Sequence, residues 1–304
     1  MARISLVGCG RWGRNILRDL LTLGCVVAVA DPDLNARQQA LEAGAQEVTS
    51  GSGDLPTADG IVIATPASTH AAELERALPR GVPTFVEKPM VCNVADARRL
   101  AAQAHGRLFV MDKWRYHPGV EELRRIRETG ELGRPLGMHL RQVGWGSPHA
   151  DVDITWILLP HCLGILREVL GCMPTVTESF AERLDGQAVS LSGVLGGAPW
   201  ATVEVSARSP EKLRQFRLHC EHGVAWLDGR WHDRIQIARG SSGMNADATD
   251  VETRMVSAEL PLLRELRVFV DHLHGGPPPP TNAEEGVLTV ERIQQLRSLA
   301  GLPE

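Results

Sequence analysis

Lysine is close to absent from this chain of 304 residues: only Lys88, Lys113 and Lys212 occur, and all other basic residues apart from histidine are arginines. Acidic residues outnumber basic ones, 37 to 32, for a formal charge of −5. No global basic field therefore argues for a nucleic-acid partner. Long apolar runs are missing as well. None reaches the roughly 18 residues that a membrane helix needs, so no membrane partner is expected. The six cysteines lack CxxC spacing and several stand in apolar contexts, which predicts reduced, buried thiols. His219, Cys220 and His222 are close in sequence, but they fall in a predicted strand and turn where neighbours alternate faces. No metal site is expected there. The chain enters its first strand after three residues, which leaves no room for a secretory signal, so the expected location is the cytoplasm.

What is present suits a globular protein long enough for two domains, each with its own core. The chain is organised around residues 4–31. Ile4-Ser5-Leu6-Val7 reads as a buried strand, Gly8-Cys9-Gly10-Arg11-Trp12-Gly13 as a turn, and the next residues as a helix with Ile16, Leu17, Leu20 and Leu21 on one face. A second apolar run, 26–30, ends on Asp31. In that β-α-β setting the glycines form a dinucleotide fingerprint. Gly8 permits the tight turn, Gly10 lets the backbone approach a pyrophosphate, and Gly13 lets the helix pack closely. Arg11 and Trp12 complete the loop and are counted with the cofactor-binding residues.

Asp31 stands 18 residues beyond Gly13, where a carboxylate can accept hydrogen bonds from a ribose diol and would repel a 2'-phosphate. The next four residues, Pro32-Asp33-Leu34-Asn35, include no base, so NAD is favoured over NADP. Arg37 tempers that preference, since it lies close enough to stack over an adenine or meet a phosphate. A solvated strand-end turn, with Asp33 capping a helix, is the alternative reading of these acids.

Residues 61–64 form an all-apolar run expected of a central parallel strand. Loops at the carboxyl ends of such strands bind ligands, which places Thr65, Pro66 and His70 along the nicotinamide half of the groove. A first-turn surface position for His70 is equally compatible. Ser68 or Thr69 can cap the helix that follows. Phe85 and Val86 are strand-like, and Glu87-Lys88-Pro89 lies just past the strand end. Proline denies its own N–H to a ladder, so the strand opens there and holds Lys88 beside the bound nicotinamide. Another strand, 107–111, ends at Asp112-Lys113-Trp114-Arg115-Tyr116-His117-Pro118, which contains the only tyrosine. The expected division is a dinucleotide-binding domain, 1–115, and a second domain, 116–304, with the last helix a candidate to pack back on the first.

Beyond this boundary, residues 116–129 read as a helix, 132–143 as the first strand of a new sheet, and 156–170 as a buried helix. Strands are expected at 175–182, 188–195, 200–207, 215–220 and 223–227, with 228–250 a hairpin arm and loop. The fold class is therefore α/β: an N-terminal Rossmann domain and a C-terminal α+β domain on an open, mostly antiparallel sheet. The face of that sheet left free by the helices is where subunits are expected to meet.

GxGxWGxN near the start, ATPxxxH at 64–70 and EKP at 87–89 together resemble the GFO/IDH/MocA oxidoreductase family. Residues 151–161 resemble a degenerate form of the segment DVNxxWDLxPHD found in its branch acting on UDP-sugars, including UDP-N-acetylglucosamine 3-dehydrogenases. Residues 261–297 share the family's C-terminal pattern. The resemblance implies hydride transfer between a nicotinamide and a hydroxyl-bearing carbon of a sugar-like, possibly nucleotide-linked substrate. Lys88 and Glu87 match EKP; the lysine would bind the hydroxyl and His161 would act as acid/base. It also implies that the region of Arg141 and His149 approaches the substrate and that the protein is a homodimer or homotetramer through the C-terminal sheet. Trp114, Arg115 and Tyr116, from a cluster dense in hydrogen-bonding and aromatic groups, are further candidate substrate contacts.

Alcohol oxidation removes a proton from oxygen as hydride leaves carbon, so a base must reach that oxygen. In reverse, the developing alkoxide needs a positive donor. Three departures bear on this. Ile157, Cys162 and Gly164 stand where the family pattern has aspartates around the histidine, and an imidazole without an acid neighbour is a weaker base. The chemistry could then run through Lys88 with Tyr116 or His149. Alternatives are a non-sugar carbonyl or imine reductase, and an NAD-binding scaffold or sensor with little turnover.

Overall fold

The structure, a computed structural model, describes residues 1–147, 151–229, 233–240 and 250–303. Six strands build a parallel sheet: β1 (Arg3–Val7), β2 (Val26–Ala30), β3 (Glu47–Thr49), β4 (Gly60–Ile63), β5 (Thr84–Glu87) and β6 (Leu108–Met111). Their order is β3-β2-β1-β4-β5-β6, so the chain runs away in opposite directions from the β1/β4 pair. That reversal opens a crevice at the carboxyl ends of β1 and β4. The connecting helices are α1 (Gly13–Thr22), α2 (Leu34–Glu42), α3 (His70–Ala77) and α4 (Val94–Gln103). Ile16, Leu17 and Leu20 bury the inner stripe of α1. Asp33 caps α2 by accepting the Asn35 N–H at 3.0 Å, and Asn93 caps α4 through the Asp96 N–H at 3.1 Å. Thr69 does not cap α3. A 3-10 turn over residues 67–69 precedes that helix and turns the hydroxyl back to the Pro66 carbonyl, 2.7 Å away.

Next come α5 (Pro118–Thr129), capped by the His117 Nδ1 on the Gly119 N–H, then β7 (Pro135–Trp145) and α6 (Ile154–Leu170). Seven strands follow: β8 (Thr175–Leu184), β9 (Gln187–Gly196), β10 (Trp200–Ser206), β11 (Arg208–Cys220), β12 (Gly223–Asp228), β13 (Arg234–Arg239) and β14 (Val251–Met255). With β7 they form one sheet, ordered β14-β13-β12-β11-β7-β10-β9-β8, in which only β7 and β10 pair in parallel. Alternation sets its two faces. Met138, Leu140, Val203, Val205, Phe216 and Leu218 are buried on one, where α6 packs on β7, β9 and β10 and α5 on β12 and β13. His139, Arg141, Thr202, Glu204 and Arg217 lie on the other. β11 begins seven residues earlier than the apolar alternation suggested, because a register irregularity between Arg208 and Leu213 hides its first part.

The last helices are α7 (Pro261–Leu273) and α8 (Ala283–Leu299). The chain divides into one unit of Met1–Lys113 with Leu262–Glu291 and another of Trp114–Pro261 with Arg292–Glu304. The expected boundary assigned α7 to the second domain. In the structure its apolar face, Leu262, Leu266, Phe269 and Val270, is buried in the core that holds Phe85 and Phe109, with the Phe85 and Phe269 ring centroids 4.9 Å apart.

The β1–α1 turn is the tightest point of the first unit. Gly8 has φ +90°, and a Cβ there would lie 2.8 Å from the Ala64 carbonyl oxygen. A Cβ on Gly13 would lie 2.2 Å from the Gly8 oxygen, so the start of α1 rests directly on the turn. Gly13→Ala is expected to cost about 2 kcal/mol or more, since backbone rather than a flexible side chain must move. Thermal unfolding measures this; an unchanged Tm would show that the turn has slack.

Candidate active site

Gly10 differs from its neighbours in having open space where a side chain would be: nothing lies within 4 Å of its Cβ position. No side chain caps the start of α1, but the Arg14 and Asn15 N–H groups already donate to the Gly10 and Trp12 carbonyls at 3.0 and 2.9 Å, so the approach for an anion is to the turn backbone that precedes them. At the end of β2, Asp31 is held by two backbone donors. Its Oδ2 accepts the Cys9 N–H at 2.7 Å and its Oδ1 the Asp33 N–H at 2.9 Å. A carboxylate has about four lone-pair sites, so acceptor capacity remains. Arg37 is turned back onto the same bend, its Nη1 donating to the Asp31 and Pro32 carbonyls at 2.7 and 2.9 Å. Burial, assisted by Asp31, pushes the Cys9 thiol up to about 11, so Cys9 is an inert packing group.

His70 is 1% exposed, which excludes the surface reading. Its Nδ1 lies 2.8 Å from the Pro89 carbonyl and its Nε2 3.0 Å from that of Thr65. Burial pushes the imidazole toward its neutral form, outweighing the two carbonyls, and a neutral ring donates to only one of them. His70 thus braces the Thr65–Pro66 loop against the bend after β5.

At that bend, the Glu87 Oε1 accepts the Trp12 indole N–H at 2.5 Å, and its Oε2 accepts the Lys88 N–H at 3.1 Å. The Lys113 Nζ sits over the Trp12 ring, 4.2 Å from its centroid. Burial holds the Lys88 ammonium below the usual lysine range, while Glu87, Asp112 and Cys92 push the other way. The link from Trp12 to Glu87 was missed in the sequence, where the two residues are 75 apart, one in the turn after β1 and the other at the end of β5, strands that are not neighbours.

In the second unit, Trp114 and Tyr116 are buried, and Trp114 stacks on His117 with centroids 5.2 Å apart. Arg115 pairs with Glu168 of α6 at 2.8 Å. Arg141 lies on the outward sheet face and pairs with Glu204 at 2.6 Å. His161 is half-buried on α6, with Ile157 5% and Cys162 0% exposed in its immediate sequence and Gly164 buried. Asp153 is committed to the helix start: it caps α6 through the Thr155 N–H at 3.0 Å and pairs with the buried Arg297 at 2.6 Å. His149 lies outside the described residues. Among the described residues, no three His, Cys, Asp or Glu side chains are grouped to hold a metal, and no helix is long and apolar enough to cross a membrane.

The chain is 28% identical over 298 residues to inositol 2-dehydrogenase of Ralstonia nicotianae, covering 90% of this chain and 86% of that one. Other inositol 2-dehydrogenases match over about half of their length. Among solved structures, UDP-N-acetylglucosamine 3-dehydrogenase GnnA of Acidithiobacillus ferrooxidans superposes with a TM-score of 0.84 at 21% identity, over 98% of this chain and 97% of that one. Levoglucosan dehydrogenase in complex with NADH and levoglucosan does so with 0.87 at 15% identity, over 99% of both chains. These likenesses fix the fold from end to end. Residues 2–111 match the GFO/IDH/MocA family model, described as "Oxidoreductase family, NAD-binding Rossmann fold".

Proposed function

We propose that the protein is an NAD(H)-dependent dehydrogenase acting on a hydroxyl-bearing carbon of a sugar-like polyol, free or nucleotide-linked. The observation that carries this reading is the placement of Lys88: it follows a glutamate tied by Trp12 to the glycine turn. The names of the relatives, which specify inositol, levoglucosan and a UDP-sugar, support the substrate class.

The residues of the first unit fit a dinucleotide. Open space over Gly10 and the uncapped start of α1 suit a diphosphate, with Gly8, Arg11, Trp12 and Gly13 shaping the turn. The remaining lone pairs of Asp31 suit a ribose diol, which favours NAD over NADP. Thr65, Pro66 and Glu87 edge the nicotinamide end, braced from behind by His70. When bound, the cofactor supplies a two-electron hydride acceptor or donor. Lys88 donates a hydrogen bond to the substrate hydroxyl oxygen and stabilises negative charge there. His161, with Tyr116 as the second candidate, is assigned the proton leaving that oxygen. The outward face of the eight-stranded sheet, with Phe180 71% exposed, is the surface assigned to a homodimer or homotetramer.

Reduction of NAD in the presence of inositols, anhydrosugars and UDP-sugars tests the reading. Tight NAD binding without turnover of any of them would favour a sensor, for which Ile157 and Cys162 beside His161 are the specific observation.

Lys88→Ala is expected to lower kcat by roughly 100-fold with little change in NAD affinity, and normal turnover would dismiss the chemical role of this lysine. Burial depresses its ammonium, so activity that needs the charged form is lost with rising pH below the ordinary lysine value of 10.5. In Lys88→Arg, whose guanidinium stays charged, that alkaline limb should move up or vanish. Gly10→Ala should fold with an unchanged Tm, because its side chain meets nothing, yet weaken NAD binding by about tenfold or more by filling the diphosphate space. Undiminished binding, read by calorimetry, would place the diphosphate elsewhere.

A further inference from the structure

Helix α7 carries one acid into the core of the first unit. Glu265 is 0% exposed. Its Oε1 accepts the Asp112 N–H at 2.5 Å, and its Oε2 has no hydrogen-bond partner among the described residues. The charged groups that face it are Glu87, Asp112 and Lys113: two acids and one cation. That cation is engaged over the Trp12 ring. An ionised carboxylate in this place would have one amide for company and two negative neighbours, a costly arrangement in a low-dielectric interior.

The hydrogen bond from Asp112 has consequences at a distance. Asp112 is the residue at which the chain leaves β6, and Lys113 follows. Lys113 covers Trp12, the Trp12 indole donates to Glu87, and Glu87 accepts the Lys88 N–H. One series of contacts therefore runs from α7 to the lysine assigned to the substrate hydroxyl.

We propose that Glu265 is a positioning residue for Lys88: an uncharged carboxyl group that fixes the Asp112 amide and, through Lys113, Trp12 and Glu87, sets where Lys88 stands. Uncharged, it does not compete with the Trp12 ring for the Lys113 ammonium; ionised, it would draw that ammonium toward itself. The kinetic consequence rests on the dehydrogenase reading, whereas the charge state and the hydrogen bond do not.

Thermal unfolding across pH, with Glu265→Gln beside the wild type, tests the charge state. A neutral buried acid keeps a proton that the unfolded chain releases once pH passes the ordinary carboxyl value of 4.5, so wild-type stability falls as pH rises above it. Glutamine also accepts from the Asp112 amide but has no proton to lose. The Tm of Glu265→Gln minus that of the wild type should therefore grow between about pH 4 and about pH 8. A difference independent of pH would overturn the proposal. If Glu265→Gln does not fold, the infrared spectrum of the wild type decides: a protonated-carboxyl band persisting at about pH 8 supports it, and its absence overturns it.

Kinetics test the positioning. Glu265→Leu, which removes the acceptor, should lower kcat by about tenfold with NAD affinity within about twofold, while Glu265→Gln stays near wild type. Equal kcat in Glu265→Leu and the wild type would dismiss the positioning role. A wild type that turns over none of the polyols would sink the dehydrogenase reading and leave the pH result standing.

Discussion

The carbonyl oxygen of Gly8 occupies the space that any side chain on Gly13 would need, and the first unit is arranged around that close approach. Because nothing separates the turn from α1, the helix begins at the carboxyl end of β1. Its Arg14 and Asn15 N–H groups donate back to the Gly10 and Trp12 carbonyls, which closes the turn without a side-chain cap. Asp31 then ties β2 to the same turn through the Cys9 amide. A packing constraint between two glycines thus brings together two features that suit a dinucleotide, an open approach to the turn backbone at Gly10 and a fixed carboxylate.

Charge is distributed just as sparingly. Two of the three lysines, Lys88 and Lys113, stand with Glu87 and Asp112 at the ends of β5 and β6. Arginine, which fills nearly every other basic position, would not serve equally well there. A guanidinium stays charged in any surroundings, whereas burial lowers the proton affinity of an ammonium. Lys88 is held in that lowered state, while Glu87 and Asp112 limit the effect. A protonated Glu265 keeps the group from acquiring a third negative charge.

The parallel sheet was legible in the sequence because each of its central strands is a short, largely apolar run closed by a turn, and the glycine spacing marked the candidate site at its edge. The caps of α2 and α4 were legible for the same reason: Asp33 and Asn93 act on amides two or three residues away. What escaped were contacts whose partners are distant in sequence. Trp12 read only as part of the glycine loop, and nothing local indicates that its indole reaches Glu87. Arg115 and Arg141 read as candidate substrate contacts because they are basic residues near the expected site, but they pair with Glu168 and Glu204. The membership of α7 in the first unit escaped because its apolar stripe would suit either core. Contacts distant in sequence decide it, among them Phe85 with Phe269 and the Asp112 amide with Glu265.

The surroundings of His161 bear on how the proton chemistry is divided. Ile157 and Cys162 are buried in the packing of α6, so an acid at either position would sit in an apolar interior with little to compensate it. The same helix spends its one nearby capping acid, Asp153, on its own first turn and on Arg297. On the dehydrogenase reading, a histidine with no acid at these two neighbouring positions is a less effective base than one that has them, which gives a larger share of the proton chemistry to Lys88. Lys88 is suited to that share. An ammonium already weakened by burial donates a stronger hydrogen bond to a developing alkoxide and releases its proton more readily than an ordinary lysine. On the dehydrogenase reading, the apolar residues at 157 and 162 and the burial of Lys88 act in the same direction, toward a proton managed from the sheet that also carries the cofactor turn.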